Sequence, residues 1–243
     1  MHKQTKTLHM KGRIKMRLKI QFENKKVSLR QDYMHQLQSA IYKTIFNAGD
    51  NMHGKIQFTF SRLMSNKRSL SEKQIELEEP FLIIGSLDEK LIDKALGNLY
   101  RSRELIIGNS VLELANVIIE DEKYLKLSDK TVFKTISPVV LVKSGQHNEE
   151  LVNNVNEQSF KAVKEINRLA KKSIELKNKK LLNFDIVPVS PIQMRFPVYN
   201  GAIFPSWEGH FRIIGDQEAR NIVYHSGLGS KTNCGFGCLD MVV

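Results

Sequence analysis

The sequence predicts an α+β fold of two tandem ferredoxin-like units, each β-α-β-β-α-β, with a C-terminal glycine-rich loop. Three observations carry that expectation. Segments with an apolar residue at every second position alternate with segments at helical spacing. Their order over 16–125 recurs over 126–243. "GLGSKTNCGFG" at 227–237 then stands directly before a last short apolar run.

Residues 1–15 read as an N-terminal extension, expected to be disordered, and Met16 opens the first regular element. "RIKMRLKIQFE" (13–23) alternates with period two and predicts a half-buried strand. "RQDYMHQLQSAIYKTIFN" (30–47) changes to helical spacing, with Met34, Leu37, Ile41 and Ile45 on one face. "NAGDNMHG" is a loop, and "KIQFTFSRLM" (55–64) and "FLIIGS" (81–86) are strands. "LDEKLIDKALGNLY" (87–100) is a second helix, and "VLELANVIIE" (111–120) closes the unit. Phe58 and Phe60 are two apart, share one strand face and are expected in the core.

The polar stretch "EKYLKLSDK" (122–130) suits a boundary between a unit at 16–125 and one at 126–243. "TVFKTISPVVLV" (131–142) is a strand whose proline fits an edge or bulge. "EQSFKAVKEINRLAKKSIEL" (157–176) is a helix with Phe160, Val163, Ile166, Ala170 and Ile174 as its apolar stripe. Lys161, Lys164, Arg168, Lys171 and Lys172 form a basic stripe on it. "LLNFDIVPVS" and "AIFPSWEGHFRIIG" supply the middle strands, "DQEARNIVYHSG" (216–227) a short helix, and "FGCLDMVV" the last strand. A ferredoxin-like sheet commonly keeps one open face, the geometry RNA-recognition domains use.

Lys+Arg 37 against Asp+Glu 26 leaves a net charge of +11, and the pI is about 9.6. Such a balance favours a polyanionic partner, nucleic acid above all. No apolar run reaches the length of a membrane span. The first residues lack the apolar stretch of a secretory signal, so a cytoplasmic protein with no membrane partner is expected. Cys234 and Cys238 are the only cysteines. Zinc would require two more ligands at a more usual spacing, so no metal and no cofactor are expected.

The glycine loop fits neither common nucleotide motif. A Walker loop ending at Lys231-Thr232 would need glycines where His225 and Ser230 stand, and a Rossmann fingerprint would need a βαβ unit after it. What remains is close backbone approach to a ligand or to another part of the chain.

Tandem ferredoxin-like units, basic charge and this loop together resemble the repeat-associated RNA-binding (RAMP) superfamily of CRISPR systems. Within it, the chain is similar to the precursor-RNA endoribonucleases, the sixth numbered Cas family. "GLGSKTNCGFGCLDMV" is the most specific part of the resemblance. "YMHQLQSAIY" running into "NMHGK" is the second, and the similarity covers 16–243. It implies a metal-independent endoribonuclease that binds CRISPR repeat RNA. The 2′-hydroxyl attacks the adjacent phosphate, leaving a 2′,3′-cyclic phosphate and a 5′-hydroxyl.

That reaction requires a base, an acid and a cation near the phosphorane. Histidine suits either proton role, and lysine suits the last. His53 and Lys55 follow a glycine-containing loop and project to one side if the chain is extended. Tyr42 matches the family's tyrosine at the end of the first helix. The catalytic candidates are therefore Tyr42, His53 as acid or base, and Lys55 as electrostatic stabiliser. His35 is held in reserve. Gly227, Gly229, Lys231, Gly235 and Gly237 are expected against RNA backbone, with main-chain N–H groups on phosphates and Lys231 adding charge. Arg195, before a hairpin-like turn, is a further RNA contact, and His225 could reach RNA. His210 is an outward strand position, and His2, His9 and His147 imply no partner. Effector-complex proteins and a second copy of the chain stay open as further partners. The alternatives are a non-catalytic RAMP subunit of an effector complex and a general RNA-binding protein.

Overall fold

The computed structural model describes residues 15–47, 57–121, 127–140, 171 and 182–242. It is a mixed α/β fold organised around two larger antiparallel sheets. Residues 1–14 of the expected N-terminal extension, His53, Lys55 and all of the expected helix 157–176 except Lys171 lie outside the described residues, while Lys15 already belongs to the first strand.

In the N-terminal half the elements are β1 (Lys15–Phe22), β2 (Lys26–Arg30), α1 (Met34–Ala40), β3 (Thr59–Phe60), β4 (Lys67–Leu70), β5 (Gln74–Glu78), β6 (Phe81–Gly85), α2 (Glu89–Ser102), β7 (Glu104–Ile107) and β8 (Ser110–Asp121). A five-stranded sheet runs β3-β6-β1-β8-β7, and β2-β5-β4 form a separate three-stranded sheet. The period of two in β1 turns Leu18, Ile20 and Phe22 to one face. There they meet Leu37, Ile41 and Ile45 from the first helix and Ile92, Ala95 and Leu99 from α2. Asp88 starts α2 by accepting from the N–H groups of Lys90 (3.0 Å) and Leu91 (3.3 Å).

The first helix departs from the expected 30–47. Arg30 belongs to β2, and α1 passes at Ile41–Ile45 into a π-helical turn, in which Phe46 N–H donates to Ile41 O at 3.0 Å. Asn98 Nδ2 donates to the carbonyl of Ile45, at the end of that turn, at 2.9 Å. The strand expected at 55–64 is regular only at Thr59–Phe60. Beyond it, Ser61 Oγ rather than a backbone carbonyl accepts from Ile83 N–H (3.0 Å). Pairing then resumes at a Met64–Phe81 bridge, so the strand bulges. Phe58 and Phe60 are fully buried and stacked, 5.8 Å between centroids.

The C-terminal half contains β9 (Val132–Thr135), β10 (Val139–Val140), β11 (Phe184–Pro188), β12 (Gln193–Arg195), β13 (Val198–Tyr199), β14 (Ala202–Ile203), β15 (Ser206–Glu208), β16 (His210–Gly215), α3 (Gln217–Ser226) and β17 (Leu239–Met241). Its main sheet runs β11-β16-β9-β17, with β10-β15-β12 and the hairpin β13-β14 beside it. Phe133, Phe184, Phe211, Ile213 and Leu239 pack beneath Ala219, Ile222 and Val223 of α3. The single strand expected at 131–142 is broken at Ser137-Pro138. Proline has no N–H for a ladder, while Pro138 O accepts from Gly237 N–H at 2.8 Å. The chain thereby leaves one sheet and enters another.

The face of the first sheet opposite its helices is not open where β6 and β1 lie. Ile83 packs there with Ile136 and Cys238 of the C-terminal half. Arg17, an outward position by period two, is fully buried. It donates to Tyr224 O (2.9 Å) and Leu239 O (2.5 Å), lies 3.5 Å from Glu120 and covers the Tyr224 ring at 4.2 Å. A guanidinium with a carboxylate, two carbonyls and an aromatic face can be buried without an uncompensated charge. Among the described residues no helix is long and apolar enough to cross a membrane.

Candidate active site and RNA interface

The glycine-rich segment begins where α3 ends and folds back on the protein. Gly227, Gly229, Gly235 and Gly237 all have positive φ, between 67° and 86°, the region that L side chains avoid. A Cβ on Gly235 would collide with Met34 Cε and lie 2.8 Å from Phe60 Cε2. One on Gly237 would overlap Leu228 O. One on Gly227 would lie 2.7 Å from Thr59 Oγ1.

For Gly227, Gly235 and Gly237 these contacts supply a reason that lies inside the fold. The N–H groups of Gly227, Leu228, Ser230, Cys234, Gly235 and Gly237 donate to Val223, Gly237, Val140, Lys231, Thr232 and Pro138 carbonyls respectively, at 2.8–3.1 Å. Those donors are used inside the fold and cannot also cradle a phosphate. The glycines let the loop press on α1, β3 and β10. Its partly exposed side chains are Ser230, Lys231, Asn233 and Cys234. Lys231, itself at φ 57°, holds its ammonium 4.9 Å from the centre of the Phe204 ring.

Through the short 3₁₀ turn Thr232–Cys234, the loop reaches the helix that carries Tyr42. Asn233 Nδ2 donates to Tyr42 Oη at 3.3 Å, and the Tyr42 ring meets Phe58 edge-on at 5.5 Å. Gln38, one helical turn earlier and 3% exposed, donates to Asn233 O at 2.8 Å and accepts from Tyr199 Oη. Burial pushes the Tyr42 phenol above its ordinary value, partly offset by the Asn233 hydrogen bond. Tyr42 is therefore a neutral phenol at neutral pH. It can orient or donate a hydrogen bond but is a poor base.

Gln38 and Asn233 were missed by the sequence reading. Gln38 left a signal, being a polar residue on the apolar stripe between Met34 and Ile41. Asn233 left none, because its partner is 191 positions away.

The remaining candidates separate. Arg195 is half-exposed and ion-paired with Glu208 at 2.9 Å; Glu208 also lies 3.4 Å from Arg62. Lys171, from the basic stripe, pairs with Asp185 at 2.8 Å. His35 is exposed and meets the Tyr199 ring edge-on at 5.7 Å. His210 is exposed, as expected of an outward position.

His225 does not reach solvent. It is 2% exposed, and its carbonyl oxygen is 2.5 Å from where a Cβ on Gly85 would stand. Burial, and then Arg17, lower its pKa to about 4. The unfolded chain thus takes up a proton that the folded protein refuses. Stability from this group is complete above its ordinary pKa and falls as pH drops toward 4. We expect a loss of about 2 kcal/mol between roughly pH 7 and pH 5 from this residue. Urea unfolding at both pH values should show a smaller loss for His225→Gln than for the parent. Equal losses would refute the assignment.

Residues 120–241, half of the chain, match the family model described as CRISPR associated protein Cas6, C-terminal. The chain belongs to the Cas6 family. A Pyrococcus furiosus relative, provisionally named as a CRISPR-associated endoribonuclease-like protein Cas6, is 24% identical over 219 residues, covering 84% of this chain and 85% of its own. A solved CRISPR associated protein Cas6 superposes with a TM-score of 0.70 at 22% identity, over 94% of this chain and 99% of that one. A second solved structure, a RAMP protein binding different RNA substrates, gives a TM-score of 0.71 at 19% identity, over 94% and 100%. At such identities the likeness concerns the fold. The Cas6 match includes the whole glycine-rich loop, α3 and β17.

Proposed function

We propose that this Cas6-family chain is a metal-independent endoribonuclease that cuts precursor CRISPR RNA within its repeats. The Asn233–Tyr42 hydrogen bond carries the proposal, because it joins the family's glycine loop to the tyrosine that the resemblance places in the site. We read the two main sheets as two ferredoxin-like units, at 16–125 and 126–243. In each, the first strand lies between the third and the fourth.

The chemistry follows from the residue types. The 2′-oxygen forms a bond to the adjacent phosphorus as the P–O5′ bond breaks. One proton leaves the 2′-hydroxyl and one reaches the 5′-oxygen. His53 performs one of these transfers, and Lys55 offsets charge on the phosphorane. Tyr42, held by Asn233, orients the reacting group. Lys231 faces the RNA backbone as a charged side chain, a role Gly227, Gly235 and Gly237 cannot share through their used N–H groups. Arg195 is a weaker contact, since binding RNA would compete with Glu208.

The test is incubation with repeat RNA in EDTA, followed by end-group analysis. Cleavage should persist and yield 2′,3′-cyclic phosphate and 5′-hydroxyl ends. Cutting that stops in EDTA, or leaves a 3′-hydroxyl and a 5′-phosphate, would refute this mechanism.

A further inference from the structure

Gln38 interrupts the apolar stripe of the first helix one turn before Tyr42. A buried amide is destabilising unless its N–H and C=O groups find partners, and this one finds them on two distant segments. Its Nε2 donates to Asn233 O at 2.8 Å and lies 3.4 Å from Cys234 Sγ. Its Oε1 accepts from the Tyr199 hydroxyl. One side chain thereby ties together α1, the glycine-rich loop and the β13-β14 hairpin.

The chemistry of these partners fixes which way the amide points. A backbone carbonyl only accepts, so Nε2 has to face Asn233 O. Oε1 is then left for Tyr199, whose phenol must donate. Burial, above all, holds Tyr199 and Cys234 above their ordinary pKa values, so both are neutral at neutral pH. The Tyr199 ring is fixed in turn by edge-on contacts with Phe236 at 5.8 Å and Phe204 at 6.3 Å. On the far side the connection passes from the Asn233 backbone to its side chain, whose Nδ2 donates to Tyr42 Oη at 3.3 Å. Where the Tyr42 hydroxyl is held thus depends on where Asn233 sits, and Gln38 anchors that residue to the helix that carries Tyr42.

We infer that Gln38, with its amide oriented by Tyr199, is a positioning residue for Tyr42 and acts through Asn233. Its effect on rate rests on the endoribonuclease reading. The placement of Tyr42 can be measured without RNA. A glutamine that merely filled the space between helix and loop would contribute stability alone.

The test uses the full chain, isotopically labelled at tyrosine Cζ and observed by NMR, with the Tyr42 resonance assigned by its loss in Tyr42→Phe. Asn233→Ala removes the hydrogen bond to the phenol and should move that resonance. Gln38→Met keeps the side-chain length and removes both polar groups, while Tyr199→Phe keeps the ring and removes one hydroxyl. Both should move the Tyr42 resonance in the direction that Asn233→Ala does, Tyr199→Phe by less. Tyr100 and Tyr224, on the other two helices, should stay at their parent positions. Combined with Asn233→Ala, neither change should move Tyr42 further. An unmoved Tyr42 in Gln38→Met, or the same movement with and without Asn233, would overturn the inference.

Single-turnover cleavage of repeat RNA at saturating enzyme, below the melting temperature of every variant, is the second readout. Gln38→Met should cut roughly 10- to 100-fold more slowly, as a misplacement of about 1 Å does. In the Tyr42→Phe background it should add little, because residues that act as a unit are not additive. Equal slowing in both backgrounds would overturn the inference and leave Gln38 a structural residue. A parent rate in Tyr42→Phe, or no cleavage at all, would instead sink the role of Tyr42 or the endoribonuclease reading. The NMR result decides the placement of Tyr42 in either case.

Discussion

Replacing His53 by alanine is expected to slow cleavage of repeat RNA by ~10²–10⁴-fold while leaving RNA affinity close to that of the parent. In the proposed mechanism the imidazole supplies one of two proton transfers but little contact area. Its loss should therefore raise the barrier without removing the phosphate contacts that dominate binding. Single-turnover rates separate the two, since they report the chemical step under saturating enzyme. A 2′-deoxy substitution at the scissile nucleotide should abolish cutting by the parent, because the attacking oxygen is gone. If His53→Ala cuts at the parent's rate, or loses binding in proportion to its rate, His53 is not the proton-transfer group.

Replacing Gly237 by valine should damage the fold before it damages binding. Gly237 sits at φ 67°, and a Cβ there would overlap Leu228 O, with the Leu228 carbonyl carbon at 2.9 Å. The left-handed conformation costs about 1–2 kcal/mol for an L residue, and forcing atoms into packed space costs about 1–3 more. Together these amount to roughly 2–5 kcal/mol, or a fall of ~5–20 °C in the melting temperature of a chain this size. Relaxation would also break the Leu228–Gly237 and Gly237–Pro138 hydrogen bonds, which hold the glycine loop against β10. Thermal unfolding by circular dichroism measures the effect. A variant with the parent's melting temperature but weakened RNA binding would return the glycine to direct phosphate contact.

The order of the main elements was legible in the sequence because burial imposes its period on local spacing. Leu18, Ile20 and Phe22 had to share a strand face, and Leu37, Ile41 and Ile45 a helix face. Those patterns survive in the structure. The short strands β2, β4, β5 and β7 were not legible. β4 is exposed throughout and bears no burial pattern; backbone pairing with β5 and surface contacts such as Lys67–Glu78 hold it.

The candidate site divides in the same way. The residue types for RNA cleavage, and the glycines that need unusual φ, could be read from the chain by itself. What the glycines face could not. Positive φ is a local property written in the residue type, whereas the neighbour that excludes a Cβ comes from remote segments: Met34 and Phe60 for Gly235, Thr59 for Gly227. Arg17 makes the same point from the opposite direction. Period two places it outward on β1, yet the C-terminal half covers that face, and its guanidinium finds Tyr224, Leu239 and Glu120 there. Local spacing in the chain set the main strands and helices, and residue type set the candidates for the chemistry. Tertiary structure alone decided which polar groups are buried, because contacts such as Asn233 with Tyr42 depend on chain closure that leaves no local period.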